Sequence, residues 1–457
     1  MDSLAEYGAR LGLDTRESVA WALYDWANSA FATTIVAAVF PIYYQSVIGG
    51  GLPGNLASVY FGYTTAAGLI LVSLISPVLG AVADRRGTRK RFLGGFALLG
   101  VASTAGLFTT GEGDVLLASA LFVAANIGFV GANVFYDSLL DHVATDANRL
   151  SAAGYALGYV GGGILLVINL AWILSPQTFG LASTGVATRL ALLSVAVWWA
   201  VFTLPVVLSV SEPDPQTGGE TNSNPVSAGF AQLRDTLAEA REYPDLFLFL
   251  GAFLLYADGI GTIIRMASIY GAEIGIGRTG ILGALVVVQF VGIPFAFLFG
   301  SLPDRSLSVA GRELALSTKR ALYIGLAVYM GISIGGFFMT ETWHFWLLAI
   351  AVATVQGGTQ ALSRSMYTSL VPADKSAEFF SFYSVSSKVA GIAGPAVFAV
   401  VGQLTGSSRF SIVSLIVFFG GGAILLSRID VEEGRRRASL EGGSGDAASG
   451  TTPAGDV

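Results

Sequence analysis

GAVADRRGTRKR, residues 80–91, lies between two apolar runs and sets five cations, Arg85, Arg86, Arg89, Lys90 and Arg91, within twelve residues. A turn this basic and this rich in backbone-exposing Gly has no place in hydrocarbon. It joins two membrane spans on the side where Lys and Arg accumulate, the cytoplasmic one. A second copy stands 220 residues on: Gly300-x-x-x-Asp304-Arg305 follows another apolar run, and Lys319 and Arg320 resume the basic charge before the next. Two halves carrying the same loop are the signature of a duplicated bundle of six spans plus six.

Composition agrees. Apolar residues are 53% of the 457 and charged ones only 12%, against roughly 25% charged in soluble domains; mean hydropathy is +0.66. Twelve helices of about 20 residues use most of such a chain and leave no sizeable soluble domain. The 58 glycines suit close helix packing in a bilayer. Cysteine is absent, which excludes disulfides and thiolate chemistry, and the two histidines, His142 and His344, are too far apart to suggest a metal cluster. No cofactor is expected. The net charge of −6 is spread over loops and tail and argues against nucleic acid as a partner.

Along the chain, residues 1–18 read as a cytoplasmic N-terminal segment able to form a short amphipathic helix, without a cleavable signal. Residues 19–210 give six spans. The Pro-, Gly- and acid-rich stretch 211–244 is a cytoplasmic linker, 245–428 gives six more spans, and 429–457 reads as a disordered cytoplasmic tail. With both termini inside, nineteen of the 25 Lys and Arg fall in inner segments, three (Arg189, Arg278, Arg409) in outer ones and three within spans. That imbalance sets the orientation. The fold class is an all-α polytopic membrane protein of twelve transmembrane helices in two pseudo-symmetric halves. Weak internal matches support the duplication: 133–139 (NVFYDSL) with 364–370 (RSMYTSL), and Tyr155 with Tyr383.

Ionisable groups inside spans cost roughly 2.5–3.5 kcal/mol at the bilayer centre, so each needs a reason. Asp25 falls in span 1, Asp258 and Arg265 in span 7 seven residues apart on one face, and Lys388 about ten residues into span 11. Gln356, Gln360 and Arg364 recur every four residues along span 10; Asn126, Asn133 and Asp137 form the counterpart stripe on span 4, and Gln289 adds an amide in span 8. Static roles compete with functional ones: Asp25 as an interfacial cap, Asp258–Arg265 as a fixed ion pair, Arg364 as a gate contact, the amides as helix glue. Together they suggest a central cavity holding both signs of charge, fit for a zwitterionic or anionic solute.

Several motifs resemble a known family. Gly80-x-x-x-Asp84-Arg85-x-Gly87-x-Arg89-Lys90 resembles the loop between helices 2 and 3 of the major facilitator superfamily. Tyr24-Asp25-Trp26-Ala27-Asn28-Ser29-Ala30-Phe31 in span 1 resembles the vacuole effluxer-like branch of that superfamily, in its prokaryotic or archaeal form. So do Asp258-Gly259-x-x-Thr262-Ile263-Ile264-Arg265 in span 7, Gln360-Ala361-Leu362-Ser363-Arg364 in span 10, and Glu378 to Lys388 in span 11. The likeness runs from about residue 19 to 428.

The resemblance implies a secondary transporter working by alternating access, not an enzyme. A small-molecule solute is the expected partner, amino acids foremost and by efflux or exchange, with H+ as a possible coupling ion carried by Asp25 or Asp258. The host is the plasma membrane and the expected state a monomer. Gly80, Asp84, Arg85, Gly87, Arg89, Gly300, Asp304 and Arg305 would form inner-face latches. Asp25, Asn28, Asn126, Asn133, Asp258, Arg265, Gln289, Gln356, Gln360, Arg364 and Lys388 are the candidate solute or coupling residues. The alternatives are a non-transporting sensor or scaffold of the same fold, or a facilitator of sugars, organic anions or drugs.

Overall fold

Span 1 starts three residues before its apolar run, because Thr15 caps it. The Ser18 N–H donates to Thr15 Oγ1 at 2.9 Å and the Thr15 N–H to Ser18 Oγ at 3.0 Å, satisfying two groups no helix partner reaches. The computed structural model describes residues 12–86, 88–212, 234, 237–300, 306–309, 312–315, 317–371, 383, 386 and 390–438. In 76–86 and in the 306–315 hairpin only the backbone is described.

Among these residues ten helices are long and apolar enough to cross a membrane, with two shorter apolar helices beside them. The spans are Arg16–Ile48 (1), Leu56–Arg86 (2), Arg89–Gly106 (3), Val115–Val143 (4), Ala147–Leu174 (5), Thr184–Ser209 (6), Pro244–Glu273 (7), Arg278–Gly300 (8), Thr318–Phe338 (9), Thr342–Leu370 (10), Ala393–Thr405 (11) and Ser408–Ser427 (12). The twelve expected elements are all present, and the chain is a multi-pass membrane protein.

In the first half span 1 packs on spans 5 and 6, span 3 on 4 and 6, and span 2 on 4. In the second, span 10 packs on 8 and 9, and span 7 on 12. Span 2 against span 11 and span 5 against span 8 join the halves. Both described termini lie at one end of the bundle: Gly12 abuts the Leu150 backbone, the Ser211 N–H donates to Glu17 Oε1 at 2.9 Å, and Lys319 Nζ donates to Ile429 O at 2.7 Å. We call this the terminal end and the opposite one the far end.

Three details differ from the reading of the sequence. The insertion after Gly300 contains a two-stranded antiparallel hairpin, Ser306–Val309 with Arg312–Ala315. The tail expected to be disordered from 429 is helical over 431–438, where Asp430 Oδ1 accepts from the N–H groups of Glu432 and Glu433, both at 3.1 Å. Span 1 is not a uniform α-helix: Phe31–Ala38 and Tyr44–Ile48 are π-helical, the Val39 N–H reaching back five residues to Thr34 O. Pro41 explains part of this. It has no N–H to give the Ala37 carbonyl four residues earlier, and the Ser268 hydroxyl of span 7 donates to that carbonyl instead.

Close packing of spans 3, 4 and 6 depends on glycine. A Cβ on Gly128 would sit 2.3 Å from the Gly100 backbone nitrogen, and one on Gly100 would sit 2.2 Å from Cη2 of the fully buried Trp199. Backbone cannot yield as a flexible side chain does. Gly128→Ala is therefore expected to cost about 1–3 kcal/mol and to lower the thermal midpoint in detergent. Gly95→Ala on span 3, with nothing within 4 Å, should leave that midpoint unchanged or raised; equal midpoints for the two variants would refute the packing account.

Candidate functional site

A cavity of about 360 Å³ lies between the halves, lined from both. Span 1 contributes Ser29, Thr33 and the Ala residues of its widened π-helical stretch; span 5 contributes Tyr155 and Tyr159; span 7 contributes Tyr270; spans 8 and 10 contribute Gln289 and Gln356. The rest of the lining is aliphatic, with Phe345. π-helical turns in α-helices gather at functional sites, and here one forms a wall.

The far end of the seam is fastened. Asn55 Nδ2 donates to Gly402 O at 2.8 Å, Tyr63 Oη to Gln403 Oε1, Arg278 Nη2 to Ser46 Oγ at 3.4 Å, and Ser268 Oγ to Ala37 O. Span 2 and span 11 touch so closely that a Cβ on Gly62 would stand 3.0 Å from Pro395 O. Toward the terminal end, Asp137, Tyr155, Gln360 and Arg364 are exposed, and Tyr155 is 55% accessible although it lines the cavity. Arg364 lies against the Tyr155 hydroxyl across the seam. The cavity therefore opens toward the terminal end and is closed at the far end.

Of the residues singled out in the sequence, Gln289 and Gln356 line the cavity, and Gln360 and Arg364 lie on its open side. Asp25, Asn28 and Asn133 gather in a separate cluster between spans 1 and 4. Tyr136 Oη donates to Asp25 Oδ2 at 3.0 Å and Asn28 Nδ2 to Asn133 Oδ1 at 2.7 Å. Beneath them Trp21 stacks on Tyr136 at 4.1 Å and donates Nε1–H to Tyr136 O. Asn126 turns back to Phe122 O in its own helix, at 2.8 Å.

Asp258 has a different task. The sequence suggests one continuous span from Glu378 to Val401; among the described residues Tyr383 and Ser386 are helical, the helix is interrupted at Gly391 with φ 114°, and it resumes at Ala393. Asp258 caps that start: Oδ2 accepts from the Ala393 N–H at 2.9 Å and Oδ1 from the Gly394 N–H at 2.8 Å. Gly394 must be glycine, since a Cβ there would lie 1.9 Å from Thr262 Oγ1. Arg265 stands behind, its Nη1 3.2 Å from where a Cβ of Gly391 would be.

Among the latch residues, Arg89 donates to Ser138 O at 2.7 Å, bracing span 3 on span 4. Gly80, Asp84 and Arg85 lie in the span 2 helix and Gly300 ends span 8, with backbone alone described. Gly87, Asp304, Arg305 and Lys388 lie outside the described residues.

The sequence reading passed over Ser29, Thr33, Tyr159 and Tyr270. The one available signal was the i, i+4 spacing of Tyr155 and Tyr159, which puts two phenols on one face of span 5.

The model of the family described as "Vacuole effluxer Atg22 like" matches residues 47–146 and 141–439. The chain belongs to this family. The MFS-type (major facilitator superfamily) transporter YxiO of Bacillus subtilis (strain 168) is 39% identical over 422 residues, 92% of this chain and 96% of that one. Autophagy-related protein 22 of Yarrowia lipolytica (strain CLIB 122 / E 150) is 29% identical over 324 residues, 65% of this chain, which spans about half (53%) of the fungal protein. Crystal structures share the fold: a D-xylose-proton symporter at TM-score 0.64 and 13% identity, covering 92% of this chain and 98% of that one, and an inward-facing, unoccupied bacterial homologue of the human lysosomal transporter Spinster at 0.62 and 14%, covering 98% and 99%. The family and the transporter fold expected from the sequence are both found, and its relatives include transporters of the major facilitator type.

Asp258→Ala leaves two backbone donors in a membrane interior without an acceptor, at a cost of about 1–3 kcal/mol, whereas Asp258→Asn keeps one acceptor and should lose less. Thermal unfolding in detergent orders the two variants against the parent; an unaltered midpoint for Asp258→Ala would deny the carboxylate its capping role.

Proposed function

We propose that this transporter moves a small polar organic solute by alternating access, with amino acids of apolar or aromatic side chain as the leading class. The observation that carries the reading is the chemistry of the central cavity. Its walls are mostly aliphatic and aromatic, two primary amides (Gln289, Gln356) line it from spans of the second half, and a guanidinium (Arg364) stands with Tyr155 on the open side. A volume of about 360 Å³ lies in the range of small-molecule sites, roughly 300–1,000 Å³. Apolar walls suit the side chain of such a solute, amides its ammonium and carboxylate hydrogen bonds, and Arg364 is placed to meet a carboxylate on entry.

The cation bias puts the terminal end in the cytoplasm, so the arrangement described is open inward. Rocking of the halves would then break the far-end bonds of Asn55, Tyr63, Ser268 and Arg278 and close the mouth around Tyr155 and Arg364. Asp84, Arg85, Asp304 and Arg305 are proposed as the latches of that closed inner face. Direction follows from gradients, and efflux or exchange fits the family's description as effluxers.

Counterflow in proteoliposomes tests this. Labelled leucine or phenylalanine should exchange saturably, and Gln356→Ala or Gln289→Ala should each raise the half-saturation concentration about tenfold, the loss of one hydrogen bond of about 1.4 kcal/mol. Exchange of xylose or organic anions in place of any amino acid would overturn the substrate class while leaving the carrier intact.

A further inference from the structure

An acid not yet assigned a role sits in the closed far end of the seam. Glu273 is at the end of span 7, and Ser408 Oγ of span 12 donates to its Oε2 at 2.7 Å. From the first half, Ser58 of span 2 faces the same carboxylate, its hydroxyl wholly buried and without a bond of ordinary geometry. Just before span 2, one turn from Ser58, Asn55 makes the cross-seam bond to Gly402 O, and a Cβ on Gly402 would lie 2.9 Å from Ser411 Oγ, a second buried hydroxyl without a partner. The charged and titratable groups that face Glu273 from the packed elements are Arg409 of span 12 and Tyr270 of its own span. Both are already engaged. Arg409 Nη1 donates to Phe337 O at 2.6 Å and Met339 O at 2.8 Å, and Tyr270 Oη donates to Gly336 O at 2.7 Å. Among the described residues no cation forms an ion pair with Glu273 within hydrogen-bonding distance.

We propose that Glu273 is a proton-binding site that couples the protonation of this carboxyl to opening of the far end. The inference rests on the carrier reading, since it needs the seam to open. In the closed arrangement Glu273 is half-buried between two halves that must part there; once they part, it becomes more open to water. Withdrawing an ionised carboxylate from water costs far more than withdrawing a neutral carboxyl. The protonated acid therefore favours the closed far end, and loss of the proton favours the open one. Opening of the far end thus releases a proton and closing takes one up, so pH biases the open-to-closed equilibrium, and linkage makes the effect reciprocal.

The chain has no cysteine, so spin labels can be placed at will. Labels at Leu52 and Leu404, two far-end positions outside the seam bonds, report the width of that end in nanodiscs by pulsed distance measurement, with no solute present. Raising the pH from about 5 to about 8 should raise the open-to-closed ratio about tenfold, the change given by one unit of difference in proton affinity between the states. Glu273→Gln should hold the acid-side distribution throughout, and Glu273→Asp should keep the response. A response of equal size in Glu273→Gln, or none in the parent, overturns the proposal. If the labels follow pH through Glu273 while no solute exchanges, the proton site stands and the carrier reading falls; if exchange is present and the response ignores Glu273, the reverse holds.

Discussion

The carboxylate of Asp258, holding the first two N–H groups of the span 11 helix at 2.9 and 2.8 Å, is the constraint on which much of the second half depends. A helix that begins inside a membrane protein presents donors no water will satisfy. Span 7 supplies the acceptor from its own middle, and so fixes where the helix of span 11 resumes after Gly391 and how close the two spans come. Gly394 makes the approach possible, and Thr262, one turn after Asp258, closes it from the side. Span 11 in turn is the partner of span 2 across the seam, so this one cap sets the position of the contact by which the halves meet at the far end.

The same economy governs the other expensive groups. Asp25 accepts from Tyr136, and Asn28 and Asn133 satisfy each other. These three polar groups are matched within their own half, and the cavity between the halves is lined by hydroxyls, amides, phenols and hydrocarbon. On the proposed reading, recognition falls to the neutral donors and acceptors of the cavity with the Arg364 guanidinium on its open side.

The twelve spans were legible because hydrocarbon imposes a length and a composition on every crossing, and the basic turn at 80–91 marked how they are paired. The matched positions of the two halves were also informative: Tyr136 and Tyr367, aligned by sequence, are both buried in aromatic stacks, against Trp21 and against Tyr383 at 4.6 Å. The site was less legible. Polar residues in spans announce themselves by their cost, but that cost is the same whether they bind a solute or cap a helix. Asp258 could not be told from a ligand without knowing that the helix of span 11 is interrupted at Gly391 and resumes at Ala393, a fact set by tertiary contact. Tyr159 and Tyr270 carried the opposite problem, since an aromatic lining a cavity and one filling a core look alike in a sequence.

Pro41 has an effect that reaches beyond its own helix. By withholding an N–H from Ala37 it leaves a main-chain carbonyl free, and Ser268 of the other half uses it; Asn55 likewise meets the carbonyl of Gly402. Two of the fasteners between the halves thus end on backbone rather than on side chains. Such contacts are silent in genetics from one side: exchanging Ala37 for another residue keeps its carbonyl, whereas only the donor, or the proline that freed the acceptor, is visible to substitution. The seam can hold its shape while the side chains on the accepting helices change.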